Sequence, residues 1–409
     1  MQKNYFLIGL VIFTFAAISF STNMIGPLDV PISKSFGLSG FESGMIPLSF
    51  FIAYLFSIPA AILNEKIKEK KAMTIAFILA GCGALFFAAS PQYALILPSF
   101  FMIGIGMAML QVIINPLLRT AGGEENFAFF SVVAQIVFGG VAAAIPYLSS
   151  YFQQIASQGH SIFPIERNIP WIINYQIIAI LLLVLGGIML AIKLPTVELK
   201  DDEKAGSKAL YFELLKDKNV WIFFFAIFAY VGTEQGVAIK IKDFLMEYHQ
   251  LNAEEGDSVI FWYWMLLTLG CILGIVLVKL FDCRVLLRYF VFAAILSLAL
   301  ALFAPVNISY YAFMMVGFFL SVMWSINFSL GLNSFAKNHG AIAGILCTGV
   351  IGGAISPFII GSLKDIIGLQ FAMCFNFILL LYILWIAFWA KPLVNNQTVT
   401  VKELFKKAK

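Results

Sequence analysis

Residues Tyr230–Lys242 read YVGTEQGVAIKIK. They continue an apolar run that begins near Trp221, and Glu234 stands more than one helical turn from either end of it. Where such a run crosses a membrane, an acidic residue at its centre costs about 2.5–3.5 kcal/mol. A chain keeps that carboxylate by lining a watery cavity with it or by pairing it with a cation, and Lys240 and Lys242 are the near candidates. In the first case Glu234 is a working group; in the second it is structural.

The whole chain supports the membrane premise. It is 61% hydrophobic and 12% charged, about half the charge of an average soluble domain. Apolar stretches of about 20 residues, the length a bilayer core requires, recur from end to end. The N-terminal run continues to about Phe20 with no small-x-small cleavage site. It reads as a first span and not as a signal peptide. Twelve spans are predicted, at 5–26, 43–63, 72–90, 93–118, 127–151, 171–193, 219–246, 259–280, 285–304, 309–334, 340–363 and 369–390. The fold class is an all-α membrane protein; a barrel is excluded because its strands would be short and alternating.

Residues 195–218 interrupt the pattern with Pro195, Glu198, Lys200, Asp201, Asp202, Glu203 and Lys204. They separate two six-helix halves, 1–194 and 219–391, and a tail follows at 392–409. A short surface helix is predicted over Ala209–Lys216. Lys3, Lys66, Lys68, Lys70, Lys71, Arg119, the linker lysines, Lys279, Arg284, Arg288, Lys337 and the C-terminal lysines fall on one side. The other side carries only Lys34, Arg167, Lys240, Lys242 and Lys364. The positive-inside rule then puts both termini and the linker in the cytoplasm.

Several classes drop out. The basic residues lie in short loops and form no nucleic-acid patch. The five cysteines show no metal spacing, and the three histidines fall in predicted loops, so no metal, cofactor or intramembrane histidine relay is expected. No nucleophile–base pair or phosphate loop points to an enzyme.

Six plus six spans around a cytoplasmic linker resemble the plan of the major facilitator superfamily, whose halves rock about a site at the membrane midplane. Local motifs narrow the likeness. Gly37-Leu38-Ser39-Gly40-Phe41-Glu42-Ser43-Gly44, preceded by Pro31 and Phe36, resembles the first loop of the fucose–galactose–glucose permease family. Gln111-Val-Ile-Ile-Asn115-Pro116 is similar to its Glu/Gln-x-x-x-Asn-Pro signature, and Tyr230-Val231-Gly232-Thr233-Glu234 to its Tyr-Val-Gly-Ala-Glu. Phe328-Ser329-Leu330-Gly331 and Gly349-Val-Ile-Gly352-Gly353-Ala354-Ile355-Ser356-Pro357 resemble its spans ten and eleven. The resemblance implies a sugar transporter driven by H+ or Na+, multi-pass in a bacterial inner membrane and monomeric, with the lipid bilayer and a small sugar as its partners. Two departures weaken the proton case. Pro27 stands where proton-using members carry a span-one aspartate, with Asp29 the nearest acid, and Gln111 stands where they carry a span-four carboxylate.

The candidate site residues are polar or aromatic groups at helix-centre positions. Glu234 could carry a proton by alternating between charged and neutral forms, bind Na+ beside Asn or Gln oxygens, or accept hydrogen bonds from sugar hydroxyls. Gln111 and Asn115 share one helix face, beside backbone groups that Pro116 leaves open; the alternative is a kink used for packing. Trp324, Asn327 and Gly331 fall on one stripe, an aromatic face beside an amide that suits a pyranose ring; the alternative is interhelical packing. Asn23, Gln135 and Gln235 are further amides of the same kind. Lys240 could meet the carboxylate of an anionic sugar, which makes a sialic or uronic acid transporter the second reading. An exporter of apolar compounds and a non-transporting sensor are the remaining alternatives. The helix-centre amides weigh against the exporter, and the short linker weighs against the sensor.

Overall fold

The computed structural model describes residues 5–122, 127–160, 162–164, 169–192 and 208–393, and among these every regular element is a helix. Most of the charged linker (195–207) and the tail from 394 lie outside the described residues, and with them the expected domain boundaries there. Among the described residues, eleven stretches are long and apolar enough to cross a bilayer. One of them, Gly40–Ala89, has 50 residues. A continuous helix of that length would run about 75 Å against a core of about 30 Å. Lys68 leaves helical geometry inside it (φ 66°, ψ 161°) and divides it into spans two and three. The twelve spans form two six-helix halves.

Span one differs from its predicted end at residue 26: its helices, Tyr5–Asn23 and Ile25–Phe36, carry it to Phe36. Pro27 did not stop it because it lies in the first turn of the second piece, where no N–H is needed. The terminator is Gly37, in the left-handed region at φ 62°, which glycine adopts without penalty. Asp29 is therefore inside the helix bundle. Span seven is likewise broken, into Lys218–Ala238 and Ile241–Tyr248. Lys240 N bonds the Val237 carbonyl, three residues back, so the α-ladder is interrupted there. Span ten breaks between Leu320 and Met323, and spans two and eleven each pass through a tight 3-10 stretch, Ile52–Phe56 and Gly349–Ile351.

The second helix of each half starts the same way. Ser39 and Glu42 cap span two reciprocally, and Asn252 and Glu255 do so for span eight. Each capping box satisfies two otherwise orphaned N–H groups.

Between the halves, span two packs along span eleven, and span five along span eight. The first contact depends on absent side chains. A Cβ on Gly361 would overlap the Gly40 carbonyl, and one on Gly44 would lie 3.0 Å from Phe358 Cα. Small residues let membrane helices approach this closely. The linker helix, Lys208–Leu214, lies close to the predicted Ala209–Lys216. It buries Tyr211 in one apolar cluster with Ala341 and Ile345 of span eleven, against which Ile58 and Ile62 of span two also pack.

Substituting Gly361→Val is expected to destabilise the protein by about 1–3 kcal/mol through overpacking, seen as a lower unfolding temperature in detergent. Gly140→Val, where a Cβ meets nothing within 4 Å, should leave that temperature close to the parental value.

Candidate functional site

Glu234 lies sixteen residues after Lys218 and fourteen before Tyr248, the middle of the broken seventh span. It is half-buried. The Tyr230 hydroxyl, one turn back on the same helix face, donates to Oε1 at 2.6 Å, and Gln235 Nε2 donates to Oε2 at 3.3 Å. Tyr263 of span eight donates to the Glu234 carbonyl at 3.1 Å. Among the described residues no cation pairs with the carboxylate. The two lysines that could have neutralised it are occupied elsewhere. Lys240 Nζ meets Asp29 at 2.7 Å, and Lys242 Nζ meets Asp257 at 2.8 Å. The structural alternative for Glu234, a lysine pair, does not form.

An aromatic wall stands beside this carboxylate. The rings of Tyr230 and Trp324 are 5.9 Å apart, and Trp324 stacks on Phe328 at 5.8 Å with planes inclined 23°. Asn327 does not share that surface. Three residues on from Trp324 it is turned about 60° around the helix. It is fully buried, with neither amide atom bonded to a described residue. Gly331 likewise packs inside the second half, against Leu346 and Phe223. The expected Trp324–Asn327–Gly331 stripe is thus split between a half-buried aromatic and two fully packed positions.

Asn23 and Gln235 come together from opposite halves. With Pro27, Ile239, Ile260 and Trp264 they line a small crevice, with room for about one water, where the breaks in spans one and seven face each other. Asn23 Nδ2 donates to the Ser19 carbonyl and hydroxyl, while Oδ1 is buried without a partner among the described residues. Gln135 is exposed on span five, one turn from Gly139, which abuts Thr268 of span eight. Gln111 is half-buried on span four; the Asn115 side chain lies outside the described residues. The structure therefore joins Glu234, Gln235, Asn23 and Trp324 through Tyr230 and the cavity.

Lys240 is not available to an anionic ligand. It is 1% exposed and its charge is already met by Asp29. The motive for an anionic sugar falls with it. The sequence reading missed Tyr230 and Tyr263 as partners of Glu234. The four-residue spacing of Tyr230 from Glu234 was a readable signal; nothing marked Tyr263, twenty-nine residues away.

Comparison with known proteins gives a consistent picture. The description of the Major Facilitator Superfamily matches residues 10–357. A glucose/galactose transporter of Brucella abortus is 28% identical over 389 residues, 93% of each chain. The L-fucose-proton symporter of Escherichia coli is 25% identical over 361 residues, 82% of this chain and 81% of its own. In fold, a crystal structure of the Escherichia coli fucose:proton symporter superimposes with a TM-score of 0.70 at 20% identity, covering 95% of this chain and 99% of that one. An inward-facing bacterial homologue of the human lysosomal transporter Spinster gives 0.73 at 14% identity, covering 94% and 96%.

Replacing Tyr230 by Phe removes the shorter of the two donors to Glu234. An under-satisfied buried carboxylate costs about 1–3 kcal/mol, so Tyr230→Phe should lower the unfolding temperature. Glu234→Gln in the same background should recover much of that loss, because the charge that needed the donor is gone.

Proposed function

The chain belongs to the Major Facilitator Superfamily, and from that premise we propose that it is a secondary active transporter importing a neutral monosaccharide by alternating access, coupled to a cation. The observation that carries the reading is Glu234: a carboxylate at mid-span, held by a phenol and an amide, beside an aromatic wall and with no lysine on it. A pyranose needs this combination. Its hydroxyls donate to the carboxylate and exchange bonds with amides, while its C–H face rests on Trp324. The names of the relatives, glucose/galactose transporter and L-fucose-proton symporter, support a hexose of that kind.

Glu234 is also the group to which we assign coupling. Both its oxygens are engaged by hydrogen donors, Tyr230 Oη and Gln235 Nε2. Donors suit a group that is charged in one state and protonated in another; a Na+ site needs oxygens that turn lone pairs inward. The printed name of the Escherichia coli relative points the same way. The cavity between Asn23 and Gln235 gives this site a contact with span one, the helix whose acid is replaced by Pro27.

The lysine-rich end, with Lys66, Lys70 and Lys71 in the turn between spans two and three, is assigned to the cytoplasm by the positive-inside rule. Lys240, Asp29, Lys242 and Asp257 then lie toward the outer end. The host membrane is the bacterial inner membrane and the working unit a monomer.

In vesicles with an imposed proton gradient, Glu234→Gln should abolish uphill accumulation while leaving sugar exchange across the membrane; undiminished accumulation overturns the coupling role. Trp324→Ala should weaken the sugar-dependent rise in unfolding temperature, with apparent affinity falling roughly three- to tenfold, the scale of one aromatic contact.

A further inference from the structure

The charges at the outer end form a network that the transport reading does not use. Lys240, on span seven, reaches across the seam between the halves. Its ammonium donates to Asp29 of span one at 2.7 Å and to Ser43 of span two at 3.3 Å, and Ser43 itself donates to the other Asp29 oxygen at 2.6 Å. Lys240 is 1% exposed and Asp29 is 4% exposed. Beside it, the pair Lys242–Asp257 receives a hydrogen bond from Ser150 of span five at 3.1 Å. On the far side of the seam, the Asp365 carboxylate of span eleven accepts from the Gly40 and Phe41 N–H groups at the start of span two, both at 3.0 Å. Three side-chain groups of the second half thus find partners in the first half at one end of the bundle.

We propose that Lys240 and Asp29 are positioning residues for the transport cycle: they act as a charge-matching latch that lets the outer end seal only when each buried charge meets the other. The proposal rests on the transporter reading, because it needs two states in which the outer end is alternately sealed and open. The physics is asymmetric between those states. With the outer end open, water hydrates both groups and each tolerates the loss of the other. With it sealed, both are desolvated, and removing one leaves a lone charge buried, which is strongly unfavourable. Removing both leaves neutral groups that pack with little cost. A latch of this kind has an identifying pattern: either single neutralisation opens the outer end, and the double neutralisation closes it again. A lysine that merely strengthened the fold would lose stability in every variant without moving this equilibrium.

Spin labels at Lys34→Cys on span one and Ala253→Cys on span eight, both exposed at this end, report the opening. The measurement uses the full chain in nanodiscs, without sugar and with the five native cysteines replaced. Distances should lengthen in Lys240→Met and in Asp29→Asn, with the open-to-sealed ratio rising about tenfold or more. The Asp29→Asn/Lys240→Met double variant and the reversed pair, Asp29→Lys with Lys240→Asp, should return to within about threefold of the parental ratio. Parental distances in the singles overturn the proposal, as does a double variant that opens as far as they do. If a single variant does not fold, the reversed pair decides: sealed supports the latch and open refutes it. Because no sugar is added, a wrong substrate assignment leaves the distances unaffected and appears only in uptake.

Discussion

A charge inside a bilayer has to be answered by something within reach, and the seventh span shows three different answers within nine residues. Glu234 is answered by neutral hydrogen donors on its own helix, Lys240 by a carboxylate from the other half, and Lys242 by a carboxylate from the neighbouring span. The first answer leaves the charge adjustable, because phenol and amide can remain beside a neutral or an ionised group. The other two tie the charge to a partner of opposite sign. The division falls at the break between Ala238 and Ile241: the adjustable acid is on the first helical piece, Lys240 is in the break and Lys242 is on the second piece.

The breaks matter as much as the spans. A continuous helix offers a membrane no free backbone polar groups, and irregular backbone persists at depth only where it is enclosed by protein or lines a cavity. Here spans one and seven, the first helix of each half, break where they face one another, and the space left between them is the cavity lined by Asn23 and Gln235. Spans two and eleven tighten into 3-10 turns that touch across the seam. Their glycines bring the backbones close enough that the interface tolerates little added volume.

Much of this was readable in the chain. Apolar length gave twelve spans, and Glu234 stood out through its cost in lipid; the run of charges from Glu198 to Lys204 lies outside the described residues. What sequence could not supply was the outcome of competition between partners. Lys240 and Lys242 are six and eight residues from Glu234, yet their partners are Asp29, 211 residues away, and Asp257, 15 away. Local spacing put Asn327 on one stripe with Trp324, but a 60° turn around span ten leaves Trp324 half-buried and Asn327 fully buried. Span one was expected to end at residue 26; Pro27 sits in a first helical turn where it does no harm, and the true stop is the left-handed Gly37.

The linker helix adds a mechanical consequence. A covalent tether between two rocking bodies could be a slack string, limiting only how far apart they drift. Here the helix after the linker buries Tyr211 in one cluster with Ala341 and Ile345 of span eleven, and Ile58 and Ile62 of span two pack against that cluster. Parting those spans at that end would strip apolar cover from this cluster, which opposes the motion in a way that a slack string could not.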